Sequence, residues 1–399
     1  MIQYVAGAIA GLSVVFGCSG TVEVDSEPMG VNREAVKAGK SLRTEEASNA
    51  PDGEQAPDRE SAETAGPEIG YEVYYGSLHN HSSASGGKGS PSDAYRHARD
   101  AAGLDFFGLS DHAEQISSSE WTAIKRAAAQ YNQDQVFAAF WGFEWSSDGN
   151  CGHVTVVNTP DYTTARTSAT DTLEELDEWL SGRDGIALLN HPGKEDNARR
   201  EFTHFAYQPS DAFVGIELFN VHLGERSGLN YYYNDGYHRG DGNLSYIDEA
   251  NTRGWRLGAA GGEDNHDGNW GTATESRLAI LATGLTRARL LAALRARRFF
   301  STSDRNVALS FKLSGQEMGS TVSAGTSTAS IFATDADGER FSRIQLKQSG
   351  AVLKTWTPNG TSPRVSSSVT LRGGEYYYVV VRQNDGDEAI SSPIWVSAR

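Results

Sequence analysis

From Tyr71 onward the apolar positions change period repeatedly, and the changes outline the elements. The run YEVYYGSLHNH (71–81) opens on three tyrosines and a valine within five residues and reads as a strand. SPSDAYRHARDAAG (90–103) follows as a helix, with Ser90 as N-cap, Pro91 at the first position, Asp93 two residues on and Gly103 as the stop. The same alternation continues. LDFFGLSDH (104–112) is a strand, and SSSEWTAIKRAAAQY (117–131) is a helix with a Ser117/Glu120 capping box. VFAAFWGFEWS (136–146) and GHVTVVN (152–158) are strands, and DTLEELDEWLSG (171–182) is a capped helix. GIALLNHPG (185–193) and FVGIELFN (213–220) are strands, SYIDEANTRG (245–254) is a short helix, WRLGAAGGEDNH (255–266) a strand and TRARLLAALRARRF (286–299) a helix. Strands interleaved with helices predict parallel βα units in an α/β domain over residues 69–304. After Asp304 the helical period disappears. Seven short runs, from VALSFKLSG to SSPIWVSA, are separated by Gly, Asn and Asp turns, which predicts an antiparallel β-sandwich, Ig-like, over 305–399.

Composition changes the picture most at the N-terminal end. Residues 19–68 carry 12 acidic against 5 basic residues and almost no large apolar side chain, so this stretch is expected to be a disordered acidic tether. Before it, Val5–Phe16 is apolar but only about a dozen residues long, short of the ~20 that span a bilayer, as in a signal peptide. VVFGCS resembles a bacterial lipoprotein cleavage box, which implies a signal peptide over 1–18, lipidation of Cys18, secretion and membrane contact only through that lipid anchor. The formal charge of −17 excludes binding to nucleic acid through backbone neutralisation. An anionic small-molecule substrate must then be held by a local cationic device. Two cysteines exclude a disulfide framework, and Cys151 reads as a partly buried thiol.

The candidate chemistry lies at the strand ends. His79 and His81 end the first strand, Asp111 and His112 the second, Glu144 the third, and His191 the GIALLNH run. Glu217 lies in GIELFN, His222 just beyond it, and Asp264 and His266 end GAAGGEDNH. Functional groups gather at the carboxyl ends of strands in parallel α/β sheets. Residues two apart on a strand share a face, so His79/His81 and Asp264/His266 are paired ligands aimed into one cavity. With His153 of GHVTVV, the set His79, His81, His112, Glu144, His153, His191, Asp264 and His266 exceeds what one tetrahedral ion takes and implies two or three divalent ions, zinc, manganese or iron. His97, mid-helix, and His238, in a Tyr/Gly loop, read as surface or packing residues.

LHNHSSAS, GLSDH, GFEW…GHV, LNHP and EDNH are similar in order and spacing to the PHP (polymerase and histidinol phosphatase) metallohydrolases, and to their CehA/McbA-like branch in particular. The resemblance covers residues 71–305 and extends to the β-rich tail. It implies a distorted (βα)7 TIM-like barrel. It also implies one metal on His79, His81, Glu144 and Asp264, a second shared through Glu144 with His153 and His191, and a third on His112 and His266. Family members commonly place an acid where this chain has Gly86, so the third site lacks one ligand.

Two adjacent cations activate water and clamp an anionic transition state. The expected activity is that of a metal-dependent hydrolase, a phosphoesterase first, with Asp264 accepting a proton and His222 or Asp111 as acid or orienter. Lys194, Arg199 and Arg200 follow LNHPG and are candidate phosphate contacts. Amide, carbamate or ester hydrolysis is the alternative within hydrolases, and a non-catalytic surface-binding protein the alternative from another class.

Overall fold

The structure is a computed structural model that describes residues 70–148, 151–194, 201–202, 205, 207–220, 236–238 and 244–398. The signal-peptide and tether readings, Arg199, Arg200 and His222 all lie outside the described residues. Among the described residues no helix is long and apolar enough to cross a membrane.

The N-terminal part is a mixed α/β arrangement. Its strands are β1 (Glu72–Ser77), β2 (Phe106–Leu109), β3 (Ala138–Ser147), β4 (Gly152–Val157), β5 (Ile186–Leu189), β6 (Phe213–Asn220) and β7 (Gly258–Gly262), side by side in chain order. Pairing is parallel for β1–β2, β2–β3, β5–β6 and β6–β7. It is antiparallel for β3–β4 and β4–β5, because β4 returns directly from β3 without a crossover helix. The sequence places the two strands in succession, and what departs from the expected parallel sheet is the direction of β4.

Three helices sit where the capping signals put them, α1 (Pro91–Asp100), α2 (Ser118–Tyr131) and α3 (Leu173–Leu180), and α4 (Tyr246–Thr252) falls within the short helix expected over 245–254. Reciprocal capping boxes close the first turn of three, through Ser90/Asp93, Ser117/Glu120 and Thr172/Glu175. Gly103 takes φ +65° just past α1, as a stop residue should.

Before residue 304 two strands went unforeseen, and beyond it the short strands at 316–317, 321–322 and 388–391. β8 (Arg277–Ala282) and β9 (Phe299–Thr302) flank α5 (Arg287–Arg295) and pair antiparallel with each other. The expected helix over 286–299 ends at Arg295, and its terminal Phe299 opens β9. β8 also pairs antiparallel with β1. The sheet curls until β7 lies against this hairpin: a Cβ built on Gly261 would sit 2.5 Å from the Arg277 carbonyl oxygen, and one on Gly258 2.6 Å from the Phe299 ring. Glycine in β7 is what permits that approach.

Beyond residue 304 the chain is all β, in β10 (Ala308–Leu313), β11 (Gln316–Glu317), β12 (Thr321–Val322), β13 (Gly325–Thr334), β14 (Phe341–Gln348), β15 (Ala351–Trp356), β16 (Arg364–Leu371), β17 (Tyr376–Gln383), β18 (Glu388–Ser391) and β19 (Ile394–Val396). One sheet runs β11–β10–β13–β16. The other strands extend the large sheet, because β18 pairs with β9. Pairing in this part is antiparallel except between β12 and β19, which run parallel. The core is continuous across the junction: Val73, Leu281 and Phe300 pack in one cluster with Phe311, Ile331, Ile344 and Val381. The buried Asp248 carboxylate of α4 accepts bonds from the Tyr376 and Tyr378 hydroxyls, each at 3.0 Å.

Candidate metal centre

The strands end just short of the chemistry. β1 stops at Ser77, and His79 and His81 follow in a loop pinned by a parallel bridge between Asn80 and Asn265. His112 lies past β2 and bridges to Glu144 inside β3. His191 follows β5, and Asp264 follows β7. His153 comes from the start of β4, not from a carboxyl end. Because β4 is antiparallel, that start lies opposite Ser146, next to the Glu144 edge.

Glu144 is the hub and is fully buried. Its Oε1 lies 3.1 Å from His79 Nε2, 3.2 Å from His153 Nδ1 and 3.3 Å from His191 Nε2. Its Oε2 lies 2.8 Å from His112 Nδ1 and 3.5 Å from His81 Nε2. Asp264 Oδ1 is the second focus, 2.9 Å from His81 Nε2, 3.3 Å from His79 Nε2 and 3.5 Å from His266 Nδ1. Ligand atoms of His79, His81 and Glu144, of His79, His191 and Asp264, of His112, Glu144 and His153, and of His81, His112 and His266 each lie within 4.8 Å of one another. The structure thus brings together all eight expected ligands.

The donor set fits divalent cations. His81 Nε2 and Glu144 Oε2 are buried and close to each other, yet neither makes a hydrogen bond. Lone pairs converging on common points, out of hydrogen-bond geometry, are what a cation uses. Backbone strain accompanies the site: His191 and Asp264 take φ +26° and +48°, in the left-handed region that L side chains avoid.

Electrostatics sort the imidazoles. Burial alone lowers the His79 pKa, but Glu217, Asp264 and Glu144 outweigh it and hold the ring well above its ordinary value. Burial takes His81 down to about 3 despite Asp264. His153 is raised to about 10, where Glu144 and Asp148 overcome burial. Burial works to raise the Glu144 carboxyl, and His153, His79 and His112 hold it well below the usual range. The centre is therefore a pair of ionised carboxylates, Glu144 and Asp264, beside neutral His81 and beside His79 and His153 rings that hold a proton a cation would displace.

The remaining expected residues divide. Asp111 is buried, with both oxygens taken by Ser82 N at 2.8 Å, Ser82 Oγ at 2.8 Å and Ser85 Oγ at 2.7 Å. Of acid or orienter, this geometry fits the orienter: the carboxylate ties down the loop after His81, and Ser85 Oγ in turn accepts from His112 N at 2.8 Å. Lys194 N donates to the His191 carbonyl oxygen at 3.2 Å, which puts this lysine on the loop leaving the centre. Gly86 has φ +91°, so an acid there would be strained as well as absent, and the nearest atom to a Cβ built on it is Gln115 Oε1 at 3.7 Å. Two residues of the site carried weak signals in the sequence. Asn190, beside His191, donates to Glu144 Oε1 at 2.8 Å, and Glu217 accepts from His79 Nδ1 at 2.9 Å. His97 and His238 lie elsewhere, against the Trp270 carbonyl oxygen and Glu388.

No family model matches the chain. It is 23% identical over 358 residues to an uncharacterized protein of Chlamydia pneumoniae, covering 81% of this chain and 57% of that one. It is 22% identical over 369 residues to an uncharacterized protein of Chlamydia trachomatis, again covering 81% of this chain and 57% of that one. The chain therefore spans little more than half the length of the curated relatives it matches. Among solved structures it is similar to a two-domain protein from Bacteroides vulgatus, described as containing a predicted PHP-like metal-dependent phosphoesterase, at 15% identity and a TM-score of 0.45 over 84% of this chain and 100% of that one. On its own residues the chain is a mixed α/β protein with one large sheet and a buried His/Asp/Glu cluster able to bind divalent metal.

Proposed function

We propose that this protein is a metal-dependent hydrolase of PHP type, a phosphoesterase in a distorted seven-stranded barrel of the CehA/McbA-like branch. The observation that carries the reading is the convergence of six histidine side chains, delivered by β1, β2, β4, β5 and β7, on Glu144 and Asp264. His79, His81, Glu144 and Asp264 would hold one ion, and Glu144 would share a second with His153 and His191. His112 and His266 would offer a weaker third position beside Gly86. Bound divalent cations supply Lewis-acid polarisation of an ester oxygen and bring the pKa of water toward neutrality.

The chain's own residues do the rest. Asp264 is the proton acceptor, through the carboxylate oxygen that does not face the histidines. Lys194 draws the anionic substrate to a surface whose net charge otherwise repels it. Asp111, through Ser82 and Ser85, keeps His81 and His112 in place. His222, Arg199 and Arg200 are proposed as acid and phosphate contacts on sequence grounds. Cys18 is proposed as a lipid anchor at the cell envelope, which Cys18→Ala should release into the soluble fraction.

Elemental analysis and turnover test the reading together. The freshly purified chain should carry about two zinc, manganese or iron ions and hydrolyse p-nitrophenyl phosphoesters, and Glu144→Ala should abolish the turnover. Metal-free protein would refute the hydrolase. Metal-loaded protein that cleaves aryl esters or carbamates but not phosphoesters would establish the alternative substrate class. Metal-loaded protein inert to every ester and amide would establish a binding protein.

A further inference from the structure

Glu217 stands outside the ligand set, yet it fastens two of its members. It lies on β6, between β5 and β7, and is 3% exposed. Its Oε1 accepts from His79 Nδ1 at 2.9 Å. Its Oε2 accepts from the backbone N–H of His191 and from Asn220 Nδ2, each at 2.7 Å. The other ring nitrogen of His79, Nε2, faces Glu144 and Asp264. Glu217 therefore sits behind the imidazole, on the side away from the cluster.

Two consequences follow from the chemistry. A carboxylate at Nδ1 fixes the ring proton there and leaves the Nε2 lone pair for a cation. The bond to His191 N–H braces a residue whose φ of +26° is otherwise unfavourable. The neighbouring strand leaves room for this: a Cβ on Gly262 would come within 2.1 Å of Glu217 Oε1. Any side chain at position 262 would displace the carboxylate.

We infer that Glu217 is a positioning residue of the metal centre, setting the tautomer of His79 and the backbone of His191 without itself binding metal. The inference rests on the metal-centre reading above. Its test uses the full chain, stripped with a chelator and titrated with Zn²⁺ alone against a chromogenic competitor. Glu217→Gln keeps the shape but turns an amide NH₂ toward either the His79 donor or the His191 and Asn220 donors, and it should weaken Zn²⁺ binding by about 10–100-fold. Gly262→Ala perturbs the same carboxylate from the opposite side and should weaken binding in the same direction. Nitrogen-15 NMR of the Zn²⁺-loaded wild type should show His79 protonated at Nδ1, a signature lost or split in Glu217→Gln.

A wild-type His79 protonated at Nε2 would overturn the inference without any variant. So would a Glu217→Gln protein that binds Zn²⁺ as tightly as wild type with its Nδ1 proton intact. Wild-type protein that takes up no Zn²⁺ would overturn the metal centre and this inference together, whereas wild-type binding with an unaffected variant would overturn this inference alone.

Discussion

Asp304 sits at the turn between β9 and β10, where the helical and all-β parts of the chain meet, and it gives a quantitative handle on that seam. The residue is 4% exposed. Its Oδ1 accepts from Asn306 N at 2.6 Å and Val307 N at 2.8 Å. Burial is the largest influence on its carboxyl, with Asp335 and Asp387 adding repulsion, and the two backbone donors do not offset them: its pKa is raised to about 6. A carboxyl that titrates near 6 folded, against ~3.9 unfolded, binds its proton more tightly in the native state. Below about pH 4 both states are protonated and nothing is lost. Stability falls as pH rises from about 4 to about 6, and the full loss, about 3 kcal/mol, is present above that. Asp304→Asn keeps an Oδ1 acceptor for both backbone donors and removes the charge. It should stabilise the chain at pH 7.5 by up to about 3 kcal/mol, roughly 5 °C in Tm, and change little at pH 4. Thermal and urea unfolding in chelating buffer at both pH values measure it. An equal gain at both pH values, or a loss at pH 7.5, would refute the electrostatic account and leave Asp304 as a hydrogen-bonding turn residue only.

The remaining predictions concern the site and the scaffold. Asp111→Asn should cost about 2–4 kcal/mol, because an amide NH₂ replaces one acceptor facing the Ser82 and Ser85 donors. It should also lower metal occupancy, read by elemental analysis, and full occupancy would remove Asp111 from any part in orienting the centre. Adding Zn²⁺ at about 100 times its Kd to stripped protein should raise stability by about 2.7 kcal/mol, measured as a shift in the urea midpoint. Phe311→Ala should cost about 3–5 kcal/mol. Because Phe311 shares a core with Val73 and Phe300, it should lower a single unfolding transition, not melt the C-terminal strands alone. Ser117→Ala should cost about 1 kcal/mol by breaking a capping box, seen as a small fall in Tm.

Local signals proved most informative where a short-range rule governs. The N-caps at Ser90, Ser117 and Thr172 announce their helices because the capping hydrogen bonds close within four residues. The period of two in HxH, and the position of acids and histidines after apolar runs, pick out the residues of the His/Asp/Glu cluster for the same reason. β8 and β9 escaped notice because each is a short apolar run beside a helix, and only their partners, β1 and β18, make them strands. Arg277, in β8, drew no reading from the sequence. It is buried, donating to the carbonyl oxygens of Gly271, Thr274 and Ser276 in the loop that follows His266.

The sequence by itself determined the helices, most of the strands and the eight residues of the His/Asp/Glu cluster, since each depends on neighbours in the chain. Tertiary structure alone decided the direction of β4, which brings His153 beside Glu144, and the return of β7 against β8. It alone gave Glu217 its place behind His79, across 138 residues of chain, and made the C-terminal strands an extension of the large sheet. The physical reason is range: capping and side-chain periodicity act over a few residues, whereas a buried carboxylate is placed by whichever strands the fold packs around it.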